Sequence, residues 1–114
     1  MRMGSLTGDD LDGINERDQY PDGTVIRVFC MRTDSSSYPS GWAYKLHYGK
    51  TKANLDRTLD DGTIRRYDNS HEDTKGHELH VAPDPEPEII EFPGMVELWE
   101  QFWNEIPKTE FEVD

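Results

Sequence analysis

The sequence predicts an α+β fold: an antiparallel β-meander of four to five strands with a C-terminal amphipathic helix packed on the sheet. Three observations carry this. Strand-like runs rich in β-branched and aromatic residues recur along the chain. Pro-Asp-Gly at 21–23 and Asp61-Gly62 are strong turn signals between them. Near the end, Met95, Leu98, Trp99, Phe102, Trp103 and Ile106 recur at helical spacing, after Pro93-Gly94 and before Pro107.

Taken in order, residues 1–13 form a flexible polar lead-in with a turn of helix near Asp9 to Asp12. A strand over 14–20 turns at Pro21-Asp22-Gly23 into "TVIRVFCMRT" (24–33). That run places Val25, Arg27, Phe29 and Met31 on one face and Ile26, Val28, Cys30 and Arg32 on the other. Both faces are mostly apolar, which predicts a central strand or one covered on both sides. "WAYKLHYGK" (42–50) puts Trp42, Tyr44, Leu46 and Tyr48 on one face and Ala43, Lys45 and His47 on the other. "TIRRYDN" (63–69) separates Ile64, Arg66 and Asp68 from Arg65, Tyr67 and Asn69. A short strand "HELHV" (77–81) follows a loop through Gly76, and "APDPEPE" is too proline-rich for regular structure. One domain over 14–107 precedes an acidic tail at 108–114.

Composition narrows the function. Acidic residues number 24 against 12 Lys and Arg, for a net charge of −12. This excludes broad nonspecific binding to nucleic acid or anionic membranes, but not a local basic site. An acidic surface with only five lysines suits a salt-rich cytosol, where screening removes self-repulsion, and predicts a halophilic source. The single cysteine, Cys30, allows no intrachain disulfide and no thiolate metal cluster. No apolar run reaches membrane-span length and no signal-peptide core is present, so the expectation is a cytoplasmic protein.

Three of the four histidines fall in "RRYDNSHEDTKGHELH" (65–80). Its "HELH" is not the zinc-protease HExxH, whose histidines are four apart on a helix. His77 and His80 are three apart, and a regular strand would send them to opposite faces unless a bend reunites them. Arg65, Arg66, Lys75, His77 and His80 are the basic neighbourhood of an acidic chain. With Tyr67 and Asp68 they supply what phosphodiester cleavage needs: a cationic clamp, a base and a proton donor. The alternative is a polar hairpin whose arginines pair with nearby acids.

"YKLHYG" followed by "GTIRRYDNSHEDTKGHELHV" resembles the TumE family of small prokaryotic toxins. Tyr44, Leu46 and Tyr48 match its Y-x-L-x-Y strand, Arg66, Tyr67, Asp68 and Asn69 its R-Y-D-N strand end, and Gly76, His77 and His80 its histidine turn. The resemblance covers roughly 14–106. It departs at Glu78, where the family pattern tends to carry a histidine. The resemblance implies a toxin neutralised by a cognate antitoxin. Joined to the residue set, it leads to an expected RNA target and a metal-independent ribonuclease without cofactor. In that reading His80 and His77 are acid and base, Asp68 orients a histidine, and Arg66 holds phosphate. Arg65, Tyr67, Asn69 and Lys75 serve substrate binding, Tyr67 by stacking or packing and Asn69 by shaping the turn. Two other readings stay open: a noncatalytic binding module, and a metal-dependent nuclease using Asp68, His77 and His80.

Overall fold

A computed structural model describes residues 6–54 and 56–108. The elements run α1 (Gly8–Leu11), β1 (Ile14–Gln19), β2 (Thr24–Arg32), β3 (Trp42–Lys50), β4 (Thr63–Asp68), α2 (Glu72–Lys75), β5 (His77–Val81), β6 (Glu88–Ile90) and α3 (Met95–Glu105). The strands form one antiparallel sheet in sequence order, β1 to β6. The described residues thus hold six strands where four to five were expected. The addition is β6, three residues beside β5, emerging directly from the proline-rich connector. A strand that short is held by its neighbour's ladder and has too few residues to show alternation.

Helix α3 lies along one face of the sheet. Leu98, Trp99 and Phe102 are fully buried against Ile26, Val28 and Cys30 of β2, Tyr44 and Leu46 of β3, and Tyr67 of β4. Residues 6–12 join this core through Leu11, which is also fully buried. The helix-facing side of β2 is covered, and on the other side only Val25 is buried. On its other side Arg27 and Met31 are exposed and Phe29 is half-buried, which corrects the expectation of cover on both faces. The apolar character of that side meets no second layer.

The turns follow their sequence signals. Asp22 Oδ1 accepts from Thr24 N at 3.0 Å, and Asp61 Oδ1 from Thr63 N at 3.0 Å. Gly62 has φ +90°, and a Cβ there would collide with Lys50 O, so the β3–β4 turn needs glycine. Of the expected acidic tail, Lys108 lies within the described residues and pairs with Asp22 at 2.9 Å; residues 109–114 lie outside them.

Candidate functional site

Strand alternation divides the Arg-Arg-Tyr-Asp run between the two sides of the sheet. Arg65 and Tyr67 face the helix. Tyr67 is fully buried, meets Phe102 edge-on, and its hydroxyl donates to Glu105 Oε1 at 2.6 Å. Arg65 Nε donates to the same oxygen at 2.9 Å. Tyr67 therefore packs, with no exposed ring for a base, and Arg65 ties β4 to α3. Arg66 and Asp68 face the open side. Arg66 Nε donates to Asp68 Oδ2 and its Nη1 to Asp61 Oδ2, each at 2.9 Å. Its Nη2 makes no hydrogen bond among the described residues.

The same alternation divides β5. Register pairs Arg66 with His80 and Asp68 with Glu78, so these four share the open face. His80 Nε2 stands 3.3 Å from Asp68 Oδ2 and 3.6 Å from Glu78 Oε1. That nitrogen is buried and has no hydrogen-bond partner among the described residues: the carboxylates are close but misaligned. His77 lies on the core side. Its ring stacks on Phe92 at 4.6 Å, its Nδ1 is 2.8 Å from Tyr44 Oη, and its Nε2 is 3.3 Å from Glu72 Oε1. The structure therefore does not bring the two histidines together. A three-residue spacing on a regular strand puts them on opposite faces, and β5 has no bulge to undo that.

The β4–β5 turn is built on Asn69. Its Oδ1 accepts from Tyr44 N at 3.0 Å, and its Nδ2 donates to Trp42 O and to Glu72 Oε1 at 2.8 Å. Glu72 also accepts from Ser40 N and Oγ, both at 2.6 Å. Burial alone would raise the Glu72 carboxyl, but these hydrogen bonds more than offset it and hold the group low. Desolvation pushes His77 down, with Glu72 opposing. Asn69 shapes the turn and, at 1% exposure, has no surface for a substrate. Lys75 is exposed on α2 and forms no ion pair with the cluster's carboxylates.

His47 stands across from Arg66 on the same face. Its imidazole is pushed down to about 4, by burial first and then by Arg66, with Asp61 opposing and Lys45 and Arg27 adding to the effect. Two cations absent from the sequence motif thus lie near the cluster. Their signal was register: side-chain alternation gives the face of each residue, but only strand pairing shows that Arg27, His47 and Arg66 form one row.

The cluster can relay protons through His80, Asp68 and Glu78 and can present the Arg66 guanidinium to an anion. Its ligand set also suits a divalent cation, because ligand atoms of Asp68, Glu78 and His80 lie within 4.8 Å of one another. The set differs from the sequence expectation, with Glu78 in place of His77. Against this use, Arg66 already donates to the Asp68 oxygen nearest His80 and would repel a cation there.

No helix among the described residues is long and apolar enough to cross a membrane. Comparison with curated proteins and with solved structures finds no match. A family model described as Toxin TumE matches residues 9–110, spanning every strand and α3. The chain belongs to the TumE toxin family and is the toxin component of a toxin–antitoxin system, with a cognate antitoxin as its partner.

Proposed function

We propose that this toxin inhibits growth by cleaving RNA at the Arg66–Asp68–Glu78–His80 cluster, without a metal ion. The observation that supports this is the convergence of a guanidinium, an imidazole and two carboxylates on the sheet face opposite α3, where Arg66, Glu78 and His80 are partly buried and Asp68 is buried. Glu78 takes the proton of a ribose 2′-hydroxyl as that oxygen attacks the adjacent phosphorus. The Arg66 guanidinium stabilises the charge growing on the phosphoryl oxygens. The 5′-oxygen leaves with a proton from His80, and Glu78 holds the base role in place of His77. The products are a 2′,3′-cyclic phosphate and a 5′-hydroxyl.

The test is incubation of purified protein with RNA in EDTA, with analysis of the new ends. Cyclic phosphate in EDTA, lost in His80→Ala, supports the reading. The close approach of Asp68, Glu78 and His80 favours one second reading, a metal-dependent nuclease, and cleavage abolished by EDTA would select it. Growth inhibition that survives His80→Ala would select the noncatalytic binding module. The antitoxin, in the same reading, covers the open face. A complex that leaves this face free and RNA still cleaved would reject that placement.

A further inference from the structure

Two rows of side chains cross the open face perpendicular to the strands. Register aligns Arg17, Arg27, His47, Arg66 and His80 in one, and Asn15, Phe29, Lys45, Asp68 and Glu78 in the other. From β1 to β5 they span four strand spacings, about 19 Å. The acids of β1, Glu16 and Asp18, pair with Val28 and Ile26 and so belong to the other side. Arg17, Arg27 and Lys45 are exposed, and none has an ion-pair partner among the described residues. Arg32, Arg65, Arg66 and Lys108 all do, while Lys50, Lys52, Arg57 and Lys75 likewise have none among the described residues. In a chain of net charge −12, Arg17, Arg27 and Lys45 stand side by side on this face with no carboxylate paired to any of them among the described residues. Asn15, Arg27, Phe29 and Lys45 line an open depression there, with the aromatic ring flanked by the two cations.

We infer that this strip of β1, β2 and β3 is a binding track for single-stranded RNA, which it leads to Arg66 and His80. The inference rests on the ribonuclease reading for its destination, but not for its chemistry. Phe29 offers a stacking surface for an unpaired base. Arg27 and Lys45 flank it to meet phosphates, Arg17 extends the positive strip to the sheet edge, and Asn15 offers an amide to a base edge or ribose. A duplex keeps its bases stacked internally and cannot use the ring. The charge complementarity selects a polyanion, and the ring selects a single strand over a double one.

The test is fluorescence anisotropy with a 5′-fluorescein 12-nucleotide RNA of unstructured sequence, alone and annealed to its complement. The full chain carries His80→Ala so that cleavage does not consume the probe. The single strand should bind at least about tenfold tighter than the duplex. Phe29→Ala should lose about tenfold in single-strand affinity, as removal of one base stack does. Phe29→Leu, which keeps an apolar side chain, should lose as much, and Phe29→Trp should keep the affinity. Arg27→Glu/Lys45→Glu should weaken binding further and flatten the salt dependence by about 0.7 log units for each phosphate no longer neutralised. Lys52→Glu/Arg57→Glu, the same charge change in the β3–β4 loop, should bind like the parent. Equal losses in both double variants, equal or tighter duplex binding, or no single-strand binding would each overturn the inference. A parent that binds no RNA, with an antitoxin complex broken by Arg27→Glu/Lys45→Glu, would overturn it and assign the face to that protein. If RNA is bound on this face but the chain with His80 restored never cleaves it, the ribonuclease reading fails and the track stands.

Discussion

His77 and His80 stand on opposite faces of the sheet although only Glu78 and Leu79 separate them. His77 Nδ1 is 2.8 Å from Tyr44 Oη on the core side, and His80 Nε2 is 3.3 Å from Asp68 Oδ2 on the open side. Their substitutions should therefore fail differently. His80→Ala and Arg66→Ala should abolish growth inhibition at matched expression while the protein stays folded. His77→Ala should lower stability by about 1–3 kcal/mol, because it removes a ring stack and leaves Tyr44 Oη without its partner. Once folded, it should retain inhibition. Full toxicity of His80→Ala would remove the acid–base proposal.

Asn69 should matter to stability more than to chemistry. It satisfies the backbone of Tyr44 and Trp42 and holds Glu72, all in a buried turn. Asn69→Ala strands Tyr44 N and should cost about 1–3 kcal/mol in chemical denaturation. Asn69→Asp should also be destabilising, since it sets a carboxylate against Glu72 and the Trp42 carbonyl.

Acid should destabilise the fold before its carboxylates titrate. His47 is pushed from 6.5 to about 4, and His77 is also lowered. Between the folded and unfolded values the unfolded chain binds more protons, so stability falls as pH falls. The contribution is complete above about pH 6.5 and is lost towards pH 4. For His47 its ceiling is on the order of 3 kcal/mol. Urea midpoints measured from pH 7 to pH 4 should decline, and His47→Gln should flatten that decline. An unchanged slope in the variant would show that His47 carries none of it.

Phe102 is fully buried between the sheet and Trp103 and meets Tyr67 edge-on. Phe102→Ala should cost about 3–5 kcal/mol, read from the shift in the urea midpoint at constant slope.

The sequence by itself determined the order and type of the main elements and the family. Local chemistry sufficed there: Pro-Asp-Gly and Asp-Gly make turns wherever they occur, and the α3 stripe shows its periodicity without its partner. It also contained the division of Arg65 and Tyr67 from Arg66 and Asp68, and of His77 from His80, because a strand's side chains alternate by geometry alone. Which side of each strand faced the helix was not local. Tyr67 looked like a candidate for stacking on a base and is core, because α3 covers that face. Glu78, where the family pattern tends to carry a histidine, shares the face of His80 by alternation, but it became a neighbour of Asp68 only once β4 and β5 paired. The row of Arg17, Arg27, His47 and Arg66 joins residues from positions 17 to 66, and only inter-strand hydrogen bonding sets them side by side. Tertiary structure decided the site because register is a property of pairs of strands, and the charge density of a face is the sum over every strand that crosses it.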